Sequence, residues 1–312
     1  ELAVDFEAQP GTDLSGTLSR QDRIIDIEVT PNRPDQLSHL GIAREIRAMY
    51  QRELEMPEVI DMEQGGTISL AVEDEKDCPR YTAAEIDNVV IEESPEWLSQ
   101  RLRAVGINPI NNIVDITNFV LLETGHPLHA FDRERLATDS ILVRRAREGE
   151  SIVTINGNER ELSENHLVIT NTEVPVAVAG IIGGQETEVT GATDKILLES
   201  AVFDPGAIRS GRKDLDIETE ASYRFERGAD PGITVYALER ACYLIEKLGA
   251  GKANRLYSDL GGEGVEPAAI ELDRRYANKI IGTNLSSEEI AEHLEKLHLK
   301  CSCTDDVIRV EI

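Results

Sequence analysis

A chain of 312 residues, 40% hydrophobic and only 4% aromatic, is long enough for a large apolar core and for two domains. Its 59 Asp and Glu against 32 Lys and Arg leave a formal net charge of -27 at pH 7. That charge excludes general attraction to nucleic acid, because neutralising phosphates takes Lys and Arg. Any RNA contact has to be local, or other domains must do most of the holding, and the acidity itself is read as a solubility feature. No run approaches the ~18 to 20 apolar residues of a membrane span. The four cysteines, Cys78, Cys242, Cys301 and Cys303, form no CxxC pair and are too few for a disulfide framework, which points to a reduced, cytoplasmic setting. The chain starts at Glu1 without a charged-then-apolar leader and is read as an internal fragment of a longer cytosolic protein.

Residues 1–23 read as a linker or the tail of a preceding domain. "IIDIEV" (24–29) alternates like a strand. Two prolines then fix a turn, and a helix follows with Leu40, Ile42, Ile46 and Met49 as its apolar stripe. "TISLAV" and "RYTAAEIDNVVI" are strand-like. "SPEWLSQRLRAVG" predicts a helix with Ser94 as N-cap, Pro95 at the first position and Gly106 as stop, and "NNIVDITNFVLLETG" predicts the second helix of a pair. From residue 140 the pattern reads as consecutive strands, "SILVRRA", "SIVTINGNEREL", "HLVITN", "VPVAVAGIIGG" and "KILLESAVF". Asn156-Gly157 predicts a tight hairpin with both residues at positive φ. A long helix over 231–251 ends at Gly249. "SDLGGEGVEP" (258–267) marks a boundary, followed by a strand, "AIELD", and a helix with Ser286 and Glu289 in a capping box. "VIRVEI" closes the chain as a strand. The expectation is α+β: a large mixed-sheet domain over 24–260, then a small, truncated αβ module over 267–312.

"TNFVLLETGHPLHAFD" (117–132) places two of only six histidines, His126 and His129, on what reads as a short turn after a helix carrying Asn118. Pro127 breaks the helix that would align the two imidazoles, and no Cys or His cluster lies nearby, so no metal site is expected. "CSC" at 301–303 reads as a strand with two small buried side chains. No GxSxG elbow and no GK[ST] phosphate loop is present. The glycines of "VAGIIGG" imply a bulge, a close backbone approach, or tight sheet packing. Glu199 interrupts the nearly continuous apolar run "KILLESAVF". It is a costly buried carboxylate unless it is paired, or unless it faces solvent. "GRKDLDIETEASYRFERGADP" (211–231) carries Arg212, Lys213, Arg224 and Arg227, which suit either a local phosphate contact or an internal ion-pair network.

Together, "TPNRPDQLSHLGIARE", "NIVDITNFVLLETGHPLHAFD", "VAVAGIIGG", "ILLESAVFDPGAIR" and "TEASYRFERGADP" closely resemble the bacterial phenylalanyl-tRNA synthetase (phenylalanine–tRNA ligase) β-subunit family, from about residue 24 to the end. The resemblance implies that residues 24–260 are an editing domain and residues 267–312 the first half of a small nucleic-acid-binding-like domain. It also implies a partner α subunit carrying the aminoacylation site, a heterotetramer of two α and two β chains, and tRNA(Phe) as the RNA. ATP and Mg are implied for the whole enzyme and no cofactor for this segment.

The reaction implied is hydrolysis of tyrosine mischarged on tRNA(Phe). By motif, Asn118 and His129 lie near the scissile ester, Glu199 accepts a hydrogen bond from the tyrosine hydroxyl, and His126, Pro127, Ala179, Gly180, Gly183, Thr219 and Ala221 line the amino-acid pocket. The chemistry suits the task, because an apolar pocket rejects an added hydroxyl only ~hundredfold and a second sieve is needed. The alternatives are a non-catalytic scaffold for subunit assembly and tRNA docking, and a free-standing nucleic-acid binder, against which the charge argues.

Overall fold

A computed structural model describes residues 24–261 and 269–311. The tail expected over 1–23 and most of the boundary expected at 258–267 lie outside the described residues. The stretch 24–29 forms no strand, and Ile24, Ile25 and Ile27 are exposed. Alternation becomes a strand only where a neighbour takes up the backbone hydrogen bonds. Helix α1 (His39–Tyr50) begins where the Ser38 hydroxyl accepts the Gly41 N–H at 2.9 Å. Of its expected stripe Leu40 is buried, while Ile46 and Met49 face solvent.

Strands β1 (Glu63–Gln64), β2 (Ser69–Val72) and β3 (Arg80–Asp87) precede helices α2 (Glu96–Ala104) and α3 (Asn112–Thr124). Ser94 is not the cap of α2. Pro95 takes that position, and the Ser94 hydroxyl donates instead to Asp115 Oδ2 at 2.6 Å, tying α2 to α3. The Asn111 side chain caps α3 by accepting the Val114 N–H, and Gly125, at φ 81°, ends it. Strand β4 (Leu128–Asp132) follows, then the short α4 (Arg133–Leu136). His129 therefore stands on a strand, not on the expected turn.

Next come β5 (Ser140–Arg145), β6 (Ser151–Val153), β7 (Glu159–Glu161), β8 (Leu167–Thr170), β9 (Pro175–Val178), β10 (Ile182–Gly183) and β11 (Ile196–Val202). In the β6–β7 turn only Gly157 is left-handed, at φ 77°; Asn156 is not, so the turn differs from the one expected. "VPVAVAGIIGG" is a hairpin of two strands, β9 and β10, rather than one. Two helices that the sequence reading omitted then appear, α5 (Pro205–Leu215) and α6 (Glu220–Phe225), ahead of the expected helix α7 (Thr234–Lys247) and an unforeseen strand β12 (Lys252–Leu260).

Two five-stranded mixed sheets organise residues 62–260. The first runs β1-β12-β3-β11-β4 and the second β10-β9-β8-β5-β2. One face of the first sheet presents Ala84, Ile86, Ala130, Ile196 and Leu198 to α2, α3 and α7. Its other face presents Tyr81, Ala83, Phe131, Leu197 and Ala201 to the second sheet. Strand β11 is buried along its whole length because both its faces are covered, which is why it reads as a continuous apolar run. Glu199 shares the parity of Leu197 and Ala201 and so lies between the sheets.

Beyond the undescribed stretch, β13 (Ala269–Asp273), β14 (Lys300–Thr304) and β15 (Val307–Glu311) form a separate antiparallel sheet in the order β13-β15-β14. Helices α8 (Arg274–Ile281), not foreseen, and α9 (Ser287–Glu295) pack on it around Ala277, Ile290, Ala291, Ile308 and Val310. The Ser286–Glu289 capping box is formed. Cys301 is half-buried and Cys303 exposed, contrary to the expected burial of both.

Candidate active site

Strand β11 pairs with β3 on one side and β4 on the other, and in this register Glu199 stands opposite Ala83 and His129. Glu199 is 5% exposed. Its Oε2 accepts a hydrogen bond from the Tyr81 hydroxyl at 2.5 Å, and its Oε1 accepts none from the described residues. Burial pushes the Glu199 carboxyl up to about 7, against the pull of the Tyr81 hydrogen bond. Burial and the facing carboxylate also hold the Tyr81 phenol well above its ordinary value.

The β9–β10 hairpin closes over this region. Ala179 and Gly180 form its turn, with the Ile181 N–H donating to Val178 O at 3.0 Å. Gly180 is left-handed, at φ 65°, and a Cβ there would lie within 3.0 Å of Ile208, Phe225 and Phe203. Only glycine satisfies both conditions. A Cβ on Gly183 would lie 2.6 Å from His129 Cε1 and 2.9 Å from Nε2, so the bare backbone of β10 rests against the imidazole. The His129 ring also meets Phe131 edge-on, with centroids 4.5 Å apart.

Helix α6 fixes the far side of the hairpin. The Thr219 hydroxyl accepts the Ser222 N–H in a capping box and donates to Ile181 O at 2.9 Å. Ala221 packs half-buried against the same core, and Phe225 stacks edge-on with Phe203 and His126. His126 is 1% exposed, and neither ring nitrogen has a hydrogen-bond partner among the described residues. Pro127 beside it is buried. Burial lowers His129 to about 4; burial, with the Arg80 charge adding to it, lowers His126 to about 3. Both imidazoles are therefore neutral at pH 7. Asn118 lies half-buried on α3 with no side-chain hydrogen bond among the described residues.

Nine of the ten residues singled out in the sequence thus lie on four adjoining pieces: the His126–Asp132 segment, β11, the β9–β10 hairpin and the start of α6. Tyr81 is the addition that sequence reasoning missed. Among the described residues no three His, Cys, Asp or Glu side chains gather as a metal site. Arg212, Arg224 and Arg227 are engaged with Glu218, Glu220 and Glu226, so these three form an ion-pair network, while Lys213 is exposed and outside the described pairs. Two clefts lie elsewhere, one of about 910 Å³ lined by Arg44, Arg47, Arg52 and Lys296, the other of about 390 Å³ lined by Asp77, Arg144 and Arg145.

The raised Glu199 carboxyl has a consequence for stability. Its contribution is intact below the unfolded value of 4.5 and is lost as pH rises through about 7. The histidines act in the opposite sense: the stability they leave intact above 6.5 is lost as pH falls toward about 4. Glu199→Gln keeps an acceptor for Tyr81 and removes the first effect alone. In urea titrations its stability relative to the parent should rise by roughly 1 to 3 kcal/mol between about pH 5 and about pH 8. A difference that stays flat with pH would mean that burial does not raise the Glu199 carboxyl.

The sequence model of the B3/4 domain family matches residues 77–250. The chain belongs to the B3/4 domain family. It is 38% identical over 310 residues to the phenylalanine–tRNA ligase beta subunit of Staphylococcus haemolyticus, covering 98% of this chain and 39% of that protein. The same-named proteins of Salinibacter ruber and Syntrophus aciditrophicus are each 42% identical, over 93% and 96% of this chain and 36% and 38% of theirs. The chain thus spans about two fifths of the length of these relatives. An N-terminal fragment of the phenylalanyl-tRNA synthetase beta subunit from Pyrococcus horikoshii aligns over 90% of the chain and 78% of its own length, at 16% identity and a TM-score of 0.41. All ten candidate residues, and Tyr81, fall inside the B3/4 match; the β13–β15 module falls outside it. No described helix is long and apolar enough to cross a membrane.

Proposed function

We propose that this B3/4 segment hydrolyses tyrosine from mischarged tRNA(Phe), as the editing part of a cytoplasmic α2β2 phenylalanine–tRNA ligase. The α subunit would hold the synthetic site with its ATP and Mg. One observation carries the reading: a carboxylate buried between two sheets, opposite a neutral imidazole, with one oxygen engaged and the other without a described partner.

In this reading the substrate phenol donates to Glu199 Oε1. Phenylalanine would desolvate that oxygen and leave it unpaired, at a cost of about 1 to 3 kcal/mol. Gly180 and Gly183 let the aromatic ring approach the backbone. His126, Pro127, Ala179, Thr219 and Ala221 form its walls. The ester lies toward His129 and Asn118. Water adds to the carbonyl carbon, the bond to the ribose oxygen breaks, and that oxygen leaves as a hydroxyl with a proton from the attacking water. His129, at about 4, is too weak a base to carry the proton away. Its neutral ring has one donor and one acceptor nitrogen, which suits it to orient the water or to donate to the oxyanion.

A scaffold without chemistry is the second reading, favoured by two features: Tyr81 already occupies one side of Glu199, and the two clefts described above lie elsewhere. The test is deacylation of radiolabelled tyrosyl-tRNA(Phe) and phenylalanyl-tRNA(Phe) by the complete heterotetramer. Rapid loss of the tyrosyl ester alone is expected. A tyrosyl ester as long-lived as in buffer would leave only the scaffold.

A further inference from the structure

We propose that Tyr81 is a positioning residue for substrate selection, its phenol holding Glu199 Oε2 so that Oε1 alone is offered to the incoming hydroxyl. The inference rests on the editing reading and adds a residue to it. Tyr81 lies on β3 opposite Ala201, two residues along from the Ala83–Glu199 pair, and is 1% exposed. On one face of an antiparallel pair such diagonal neighbours are within reach of an aromatic side chain. The two residues flanking the contact, Ala83 and Ala201, carry only methyl groups, which leaves the ring room to lean across β11. Glu199 is thus gripped from the β3 side and faces His129 on the β4 side.

Burying the phenol alone does not require this arrangement. A buried tyrosine hydroxyl needs an acceptor, but a backbone carbonyl or an amide would serve without the cost of a carboxylate in an apolar layer. The pair is explained if the carboxylate is the part that matters and the phenol serves it. One strong donor fixes the side chain's rotamer and favours the ionised, acceptor-only form. The other ionisable groups near Glu199 are Cys78, whose thiol burial keeps protonated, and neutral His129. The facing hairpin 175–183 brings only apolar side chains and glycines. Tyr81 is therefore the single described hydrogen-bond donor to Glu199. Without it the carboxyl takes up a proton more readily and can donate as well as accept, which blunts the penalty against a substrate with no hydroxyl.

The experiment is a 13C NMR titration of the Glu199 carboxyl in this chain, assigned by its absence in Glu199→Gln, compared with Tyr81→Phe. The midpoint should rise by roughly one pH unit. In the heterotetramer the ratio of tyrosyl to phenylalanyl ester hydrolysis at neutral pH should fall about tenfold, with its pH dependence displaced in the same direction. A merely structural tyrosine would lower rate or stability and leave the midpoint in place. If Tyr81→Phe does not fold, 3-fluorotyrosine at position 81 substitutes. It is nearly isosteric and a stronger donor, and should move the midpoint down. An unmoved midpoint in a folded variant overturns the proposal. A moved midpoint in an enzyme that hydrolyses neither ester upholds the Tyr81–Glu199 coupling and removes the editing reading instead.

Discussion

Glu199→Ala should turn a selective hydrolase into an indiscriminate one. In the complete heterotetramer, phenylalanyl-tRNA(Phe) hydrolysis should rise by about 5-fold to 150-fold, the range that an unpaired buried acceptor costs. Removing the carboxylate takes away that penalty, because no oxygen is left for a bare phenyl ring to strand. Tyrosyl ester hydrolysis should change less, since the proposed function puts the ester end of the substrate at Asn118 and His129 rather than at Glu199. The substitution also deprives the Tyr81 hydroxyl of its acceptor, so some loss of thermal stability accompanies it. Glu199→Gln separates the two effects: it restores an acceptor for Tyr81, and its own amide can meet a substrate phenol. Selectivity that survives Glu199→Ala would place the hydroxyl sensor elsewhere.

Gly183→Ala should have the largest effect on rate. The new methyl would lie 2.6 Å from one atom of the His129 ring and 2.9 Å from another, closer than packed atoms come. The imidazole has to swing away, and a displacement of that order costs ~100-fold in the chemical step. Gly183 is not left-handed, so alanine fits its backbone, and the melting temperature should stay close to that of the parent. Gly180→Ala is the contrasting variant. There the φ of 65° and the contacts with Phe203, Phe225 and Ile208 both oppose a side chain, so stability and activity should fall together. Single-turnover deacylation and thermal melts on both variants distinguish a misplaced catalytic ring from a damaged core. Full activity in Gly183→Ala would mean that His129 has no part in the hydrolysis.

The sequence marked out residues that the fold brings close together more clearly than it marked the elements that carry them. Glu199 stood out because a carboxylate in a continuous apolar run is costly, and the structure does bury it. The cross-strand register that brings Tyr81 to it leaves no mark on either segment alone, since Tyr81 and Glu199 are 118 residues apart. Helix α5 was legible in principle. Asp204 followed by Pro205 is a cap followed by a favoured first position, and the Asp204 side chain does accept the Ala207 N–H at 2.7 Å. The charged stretch after it masked the signal. At Ser94 the same rule misled, because a neighbouring helix offered its hydroxyl a carboxylate, Asp115, that no local pattern reveals. The alternation at 24–29 misled in the opposite way, having no strand beside it.

The position of β11 decides which parts of the molecule yield. It is flanked by strands on both edges and covered on both faces, so its amides should be among the slowest to exchange with deuterated solvent. The Glu199 carboxyl is therefore mounted on the stiffest timber in the frame. The β9–β10 hairpin is held differently: β10 has two residues, lies at a sheet edge, and its turn is tied to α6 by the Thr219 hydroxyl on Ile181 O. Local opening of the molecule should therefore begin at that edge and leave the strand that carries Glu199 in place.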